Sequence, residues 1–208
     1  FKNFDVILVN NNSEQEHIDK IFSWSKNEIN IVDEEIIFNP HKEIQIERVS
    51  DKLVINKKGL KKIYFIDSKA KKKERWAVNL GCTAGLNLGY KFALENNYDY
   101  IARIDNDMVV PNDVIFKLIQ RLEKNKFIAA ISPKVMFADN PKIIWFGGTK
   151  IGNNLKLQRE CSNHICKKQD SKKFRGLIKT DAVVGCASVM RSEFLKKAGL
   201  SDPDFFYG

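Results

Sequence analysis

Apolar residues are grouped along the chain in short runs that end in polar clusters. The run from Phe4 to Val9 is followed by the polar stretch Asn10 to Ser13, which predicts a strand with a loop at its carboxyl end. Ser13 and Glu16 match the capping box S-x-x-E, which predicts that a helix begins there. The apolar stripe of this helix consists of Ile18, Ile21 and Phe22. A strand, a polar turn and a helix in this order are typical of an α/β layer fold that binds ligands at the carboxyl ends of its strands.

The same patterns predict further elements along the chain. Additional strands are predicted at residues 35–38, 44–46, 63–66, 98–104, 127–131, 143–146 and 180–184. Helices are predicted after the Asn79–Gly89 loop, after Asn112 as an N-cap, and over Ser192–Ala198, where Gly199 ends the helix. Two stretches are predicted to be irregular, an insertion at about 39–75 and a lysine-rich surface excursion at about 153–174.

The stretch YIARIDNDMVVP ends an apolar run in two carboxylates, Asp105 and Asp107, on either side of Asn106. If this stretch is a strand, residues i and i+2 point to the same face, about 6–7 Å apart. The two carboxylates then repel unless a cation or water lies between them. Hard cations such as Mg²⁺ bind one or two carboxylates together with phosphate oxygens of the substrate. The stretch therefore predicts a divalent-cation site, with a solvated turn as the alternative because Asp and Asn also favour turns.

Two stretches that contain glycine are further candidates for ligand binding. In Asn79–Gly89, glycines at 81, 85 and 89 would let backbone N–H groups approach a ligand at a helix N-terminus, which favours anions. A tight junction between strand and helix is the alternative. Gly185-Cys186-Ala187, followed by Arg191, would either line an acceptor pocket or form a close packing contact. A third group is too small for a four-ligand zinc site and is predicted to lie in a surface loop: Cys161, His164 and Cys166.

The net charge is +9, from 35 basic and 26 acidic residues. Solvated surface is the first interpretation of this excess, and contact with anionic lipid or a phosphorylated substrate is the second. Nucleic acid is not predicted as a partner, because aromatic residues are not interleaved with the lysines as a stacking surface requires. The lysines cluster at 57–58, 61–62, 71–73, 167–168 and 172–173.

Length and composition restrict the class of protein further. The 208 residues suit one large domain or two small ones. Four cysteines do not make a disulfide scaffold, which favours a reducing, cytoplasmic setting. No apolar run approaches the ~20 residues of a membrane span, and no secretory signal is recognised. Because the first residue is Phe1 rather than Met, it is not expected to be the native start.

The order of the motifs resembles one known family. The motifs are, in sequence, V-N-N-N-S, N-x-G-x-x-x-G-x-N-x-G, D-N-D, G-C-A-S-V-M-R-S-E-F and G-L-S-D-P-D-F-F-Y-G. Together they resemble the family 2 glycosyltransferases of the GT-A fold, especially the bacterial rhamnosyltransferase-like branch. The resemblance implies one domain over residues 1–208, with a Rossmann-like three-layer α/β/α architecture and a mixed central sheet. It covers nearly the whole chain apart from the insertion and the excursion.

The resemblance also implies a set of site residues. The donor would be bound by Asn10, Asn12, Asn79, Gly81, Gly85, Asn87, Asp105 and Asn106. Asp105 and Asp107 match the family's DxD-type motif, which binds Mn²⁺ or Mg²⁺ with the diphosphate of the donor, and Gly185 and Cys186 match the turn beside the acceptor. Asn10 stands where the family usually has Asp, so it can hydrogen-bond a base or a ribose but carries no charge.

The activity that the resemblance implies is an inverting transfer of a sugar from a UDP- or dTDP-linked donor to a glycan or lipid-linked acceptor. Such a step belongs to the synthesis of cell-surface polysaccharide, and it suits an enzyme at the inner face of the plasma membrane. A nucleotidyltransferase that makes sugar nucleotides is a rival interpretation, but it would need a glycine-rich, basic signature where Asn10–Ser13 stands. A non-catalytic module that binds nucleotide-sugar is another.

The sequence departs from the family pattern at two places. Val6–Ser13 aligns with the family's second strand, so the first strand is expected to be missing; alternatively, Val6–Asn12 is the first strand and the second lies in the insertion. In the family an acidic pair follows F-F-Y-G and supplies the catalytic base, whereas this sequence stops at Gly208. The chain is therefore expected to be truncated at both ends, with the base beyond Gly208.

Overall fold

The computed structural model forms two compact units, one of Phe1–Asn97 with Gly199–Gly208 and one of Tyr98–Ala198. The backbone alone is described for residues 31–33, 36–38, 45–48 and 62. The structure describes residues 4–29, 31–33, 36–38, 45–48, 62–68, 79–111, 113–150 and 165–206. The single domain over residues 1–208 that the resemblance implies remains a prediction.

The first unit is built on a parallel sheet whose strand order is β1-β5-β4. The elements of this unit are β1 (Val6–Asn10), α1 (Gln15–Ser25), β2 (Ile31–Asp33), β3 (Ile36–Phe38), β4 (Gln45–Arg48), β5 (Lys62–Asp67) and α2 (Gly81–Glu95). Strands β2 and β3 pair with each other as an antiparallel hairpin. Register pairs Val6 of β1 with Ile63 of β5 and Asn10 with Asp67, so both strands end at the same edge.

Side chains alternate between the two faces of this sheet, as the period of a strand requires. Ile63 and Phe65 pack with Ile18 of α1, and the rings of Phe22 and Phe65 lie 5.4 Å apart. On the other face, Tyr64 of β5 lies 4.7 Å, ring to ring, from Phe92 of α2. The described part of the sheet therefore has a helix on each face, which is the layering that an α/β fold predicts.

The second unit consists of small antiparallel sheets. Its elements are β6 (Tyr100–Ile104), α3 (Val114–Lys124), β7 (Ala130–Ile131), β8 (Val135–Met136), β9 (Ile143–Phe146), β10 (Lys168–Gln169), a 3₁₀ turn (Lys172–Phe174), β11 (Ala187–Arg191) and α4 (Ser192–Ala198). The strand orders are β6-β11-β7 and β10-β9-β8. Leu122, Ile131 and Val189 form the core between α3 and the first of these sheets.

The single mixed central sheet is not confirmed among the described residues, where parallel pairs lie in the first unit and antiparallel pairs of the larger sheets in the second. The prediction of a strand at 180–184 is wrong, since Ala182 makes only an isolated bridge to Thr149. The strand lies at Ala187–Arg191 instead, and it is the central strand of its sheet. Its first four residues are all buried, so the sequence shows no alternation that would mark it.

Three predicted helix starts are also wrong. Helix α2 begins at Gly81, inside the stretch Asn79–Gly89 that was predicted to be a loop before the helix. Ser13 does not cap α1: its N–H donates to Oδ1 of Asn10 at 2.9 Å, and the helix begins at Gln15 without a side-chain cap. Helix α3 begins at Val114 with Asp113 as its N-cap, while Asn112 lies outside the described residues. By contrast, β9, α4 and the positive φ of Gly199 (83°) confirm the predictions made for them.

The irregular stretches are described only in part. Strands β3, β4 and β5 correspond to the short β-like pieces predicted at 35–38, 44–46 and 63–66. The described end of the excursion contains β10 and the 3₁₀ turn. Cys161 and His164 lie outside the described residues. No helix in the described parts of the chain is long and apolar enough to cross a membrane.

Candidate functional site

The two predicted metal ligands lie just beyond the end of β6. The strand ends at Ile104, and Asn106 and Asp107 form a turn in which the N–H of Met108 donates to the carbonyl of Asp105 at 3.2 Å. The predicted geometry, with both carboxylates on one strand face, is therefore wrong, because the strand stops before Asp105. Asp107 is exposed, and Asp105 is half-buried.

Arg103 supplies a positive charge beside the first carboxylate. Its Nε lies 3.1 Å from Oδ1 of Asp105, and its Nη2 lies 3.4 Å from Oδ2. The Arg103 side chain is 19% exposed and that of Asp105 35%, so the pair is partly shielded from water. Sequence analysis did not nominate Arg103, although its i, i+2 spacing from Asp105 on a strand would have indicated the pair.

Gly185 and Cys186, which we call the small-residue turn, lie immediately before β11 and beside the same carboxylates. The N–H of Asp105 donates to the carbonyl of Cys186 at 2.8 Å, which extends the antiparallel pairing of β11 with β6. A Cβ on Gly185 would lie 3.2 Å from Nη1 of Arg103, which is a tight contact. Burial raises the pKa of the Cys186 thiol, and the negative charges of Asp105 and Asp107 raise it further. The structure thus brings the acidic turn and the small-residue turn together.

Arg191 does not belong to this cluster. It lies at the other end of β11, where its guanidinium donates to the carbonyls of Ile128 at 3.1 Å and Leu122 at 2.6 Å and to the hydroxyl of Tyr100 at 2.9 Å. These contacts stabilise the unit. Arg191, which follows the small residues in the sequence, therefore has a structural role apart from Gly185 and Cys186.

The carboxylates fit a divalent cation that is completed by a substrate. Among the described residues no group of three or more His, Cys, Asp or Glu side chains is placed to hold a metal ion. The protein would offer at most the two carboxylates of Asp105 and Asp107, the first already paired with Arg103. Mg²⁺ commonly binds through one or two carboxylates with the remaining ligands from phosphate and water. The donor set suits that mode.

We expect Arg103→Met to strengthen the binding of Mn²⁺ by the protein alone. Removing a cation beside Asp105 frees a carboxylate and removes a repulsion of the metal, which should tighten binding by about tenfold. The amount of free Mn²⁺, measured by electron paramagnetic resonance during a titration, gives the affinity. Arg121→Met, at an exposed position on α3, is the matched control and should leave the affinity unchanged. Weaker binding in Arg103→Met would contradict the prediction.

The three asparagines after β1 have different environments in the first unit. Asn10 is buried, with Nδ2 donating to Asp67 at 3.3 Å and Oδ1 accepting from the N–H of Ser13 at 2.9 Å. Both ends of this amide are engaged in holding the loop. Asn12 is half-buried and has a positive φ of 69°, a conformation that Asn tolerates better than most residues.

Asn11, which sequence analysis passed over, connects β1 to the start of α2. Its Nδ2 donates to Oδ1 of Asn79 at 2.7 Å and to the carbonyl of Gly81 at 3.0 Å. Its Oδ1 accepts from the N–H of Leu80 at 3.0 Å. The Asn11 side chain therefore fixes the position of residues 79–81, where α2 begins. Only the run of three asparagines marked this position, and it gave no reason to prefer the middle one.

The first N–H groups of α2 are already satisfied within the protein. Besides the N–H of Leu80, that of Gly81 donates to Oδ1 of Asn79 at 2.7 Å. The N–H of Cys82 donates to the carbonyl of Phe206 at 2.8 Å. These groups are the ones that an anion at a helix N-terminus would use. The expectation that they are open to a ligand is therefore wrong in this structure.

Close packing accounts for the spacing of the glycines and for Asn87. Gly81 has a φ of +82°, and a Cβ there would lie 2.7 Å from the carbonyl oxygen of Phe206. A Cβ on Gly85 would lie 3.1 Å from Nδ2 of Asn11, and one on Gly89 3.3 Å from Val9. The amide of Asn87 is engaged with the backbone of Ser201, donating at 2.7 Å and accepting at 3.2 Å. A donor contact by these residues remains a prediction.

Comparison with known proteins gives the family. The model of glycosyl transferase family 2 matches residues 60–198, which is more than half of the chain. The match includes the Asn79–Gly89 loop, the D-N-D turn and Gly185-Cys186, but it does not reach Asn10–Ser13. The chain therefore belongs to glycosyl transferase family 2, whose activity is the transfer of a sugar from a nucleotide-sugar donor to an acceptor. A search of curated proteins finds no significant match.

Proposed function

We propose that this chain carries the donor-binding part of an inverting glycosyltransferase of the rhamnosyltransferase-like branch. The donor is a UDP- or dTDP-linked sugar, and the acceptor is a glycan or lipid-linked precursor of a cell-surface polysaccharide. One observation carries the proposal. The backbone hydrogen bond from Asp105 to Cys186 holds the acidic turn and the small-residue turn together at one end of β6 and β11, within the region that the family model covers.

Asp105 and Asp107 are the residues that would hold Mn²⁺ or Mg²⁺ in this proposal, with Asn106 between them on the donor side. When bound, the metal ion would stabilise the negative charge that develops on the departing nucleoside diphosphate. Arg103 could then bind either the Asp105 carboxylate or the diphosphate of the donor, since the guanidinium group binds phosphate as well as carboxylate. Gly185 would keep the surface beside Arg103 open for the sugar or the acceptor.

The first unit offers fewer groups to the nucleoside than the sequence predicted. The polar atoms of the Asn10 and Asn87 amides have protein partners. Asn12 and the Nδ2 atom of Asn79 make no side-chain hydrogen bond within the described residues. We therefore propose that Asn12 and Asn79 contact the base or the ribose, while Gly81, Gly85 and Asn87 of α2 hold the start of that helix in place.

The test is calorimetric titration of the protein with UDP and with dTDP, each in the presence and in the absence of Mn²⁺. We expect one of the two nucleotides to bind and its affinity to depend on the metal. Equal affinity without metal would contradict the proposed role of the carboxylates. Lack of binding by a protein whose circular dichroism shows it folded would contradict the donor site. Preferential binding of UTP or dTTP would favour the nucleotidyltransferase interpretation.

A further inference from the structure

The segment Lys172–Lys179, which we call the basic loop, combines strong positive charge with exposed aliphatic side chains. Its sequence, K-K-F-R-G-L-I-K, contains four basic residues and no acidic residue. It begins with the 3₁₀ turn and bends at Gly176, which has a φ of +88°. A Cβ added at Gly176 would meet no atom within 4 Å, so the bend projects into open space.

Two neighbouring aliphatic residues follow this bend. Leu177 is 57% exposed and Ile178 is 40% exposed. Phe174 is half-buried, and the Nζ of Lys173 lies 4.9 Å from the centre of its ring. A pair of exposed aliphatic side chains beside four cations suits a partner that is both apolar and anionic.

The acidic residues on either side of the loop form ion pairs with lysines outside it, although the charge of Arg175 also acts on Asp170. Asp170 forms an ion pair with Lys134 at 2.5 Å, and Asp181 forms one with Lys150 at 3.1 Å. The Lys134 contact lowers the pKa of Asp170. Within the described residues, the basic side chains of the loop form no ion pair with a carboxylate. The four charges are Lys172, Lys173, Arg175 and Lys179.

We propose that the basic loop binds the surface of an anionic lipid bilayer. Leu177 and Ile178 enter the boundary between headgroups and acyl chains, and the four basic side chains contact lipid phosphates. Apolar insertion and electrostatic attraction together are what peripheral membrane binding requires. Nucleic acid bound through its bases would instead need exposed aromatic faces, and the one aromatic ring of this loop is half-buried. The inference does not depend on the proposed transferase function.

The experiment is co-sedimentation of the purified protein with vesicles of phosphatidylcholine alone or mixed with phosphatidylglycerol. We expect binding to the mixed vesicles only. Leu177→Ser with Ile178→Ser, and separately Lys172→Gln with Arg175→Gln, should each weaken it by about tenfold or more. Lys196→Gln with Lys197→Gln, on α4, is the control for lost charge, and Ile29→Ser is the control for a lost exposed aliphatic residue. Thermal melting checks that all variants fold.

Four results would overturn the proposal. The first is no binding of the wild-type protein to mixed vesicles, and the second is an equal loss in the control variants. The third is full binding by the Leu177→Ser, Ile178→Ser variant, since the aliphatic pair distinguishes a bilayer from any other polyanion. The fourth is displacement from vesicles by single-stranded RNA whose own binding is unchanged by that variant, which would make the loop a site for nucleic acid.

Discussion

Replacing Asp107 with alanine is expected to abolish the metal-dependent binding of UDP or dTDP, with a loss of affinity of about 100-fold or more. The reason is that the described part of the chain offers only two carboxylates at this site, and Asp105 is shared with Arg103. Asp107 is exposed and makes no side-chain hydrogen bond or ion pair within the described residues. Its removal should therefore cost the metal a ligand without costing the fold a contact. Calorimetric titration with and without Mn²⁺ measures the loss.

The matched control for this substitution is Asp139→Ala. Asp139 is also an exposed aspartate in a bend of the second unit, but it lies outside the D-N-D turn. The Asp139→Ala variant should bind nucleotide with the same affinity and metal dependence as the unchanged protein. Asp105→Ala is a less clean test, because it also leaves the partly shielded Arg103 without its carboxylate partner. If Asp107→Ala kept full metal dependence while Asp105→Ala lost it, the family's second Asp would not be the principal ligand here.

Elements of the fold that have a clear pattern or clear boundary residues were predicted from the sequence, whereas a strand that is buried on both faces was not. Ile143–Phe146 and Ser192–Ala198 have the bounds that their patterns predicted, because each is a short regular element between clear turn or cap residues. Ala187–Arg191 was missed because a strand buried on both faces has no polar alternation. The small side chains at its start were taken for a turn. Strand β11 pairs with β6 and β7, which are distant in the sequence, and such pairing produces no pattern in the residues of the strand itself.

The predictability of the candidate site varied with the source of the inference. Spacing alone indicated that Asp105 and Asp107 belong together, but it gave the wrong reason, since the strand ends before them. The contact between Asp105 and Cys186 was not predicted, because no local pattern connects residues 81 positions apart. Asn11 and Arg103 were missed because each acts through contacts with distant or alternate neighbours. A side chain that positions others looks ordinary in the sequence.

Replacing Arg191 with methionine is expected to lower the free energy of unfolding by about 2–4 kcal/mol, because it leaves carbonyl groups without donors in a partly buried place. The guanidinium donates to Leu122, Ile128 and Tyr100 and so ties the end of β11 to the end of α3. The hydroxyl of Tyr100 donates in turn to Glu123 at 2.6 Å. Burial raises the pKa of Tyr100, and the hydrogen bond to Glu123 raises it further, so the phenol stays a neutral donor in this network.

Urea denaturation followed by circular dichroism measures the change, with Arg121→Met as the control because Arg121 is exposed on α3. A loss below about 0.5 kcal/mol would contradict the structural role, since surface substitutions usually stay within that range. The loss of unfolding free energy in Arg191→Lys should lie between the losses in Arg191→Met and Arg121→Met. Lysine keeps the charge, but it lacks the guanidinium fork that reaches several acceptors. Metal-dependent nucleotide binding should survive in folded Arg191→Met, because Cys186 lies just before the opposite end of β11, about 17 Å away along the chain. Loss of that binding in folded protein would show that the strand transmits strain from its end to the acidic turn.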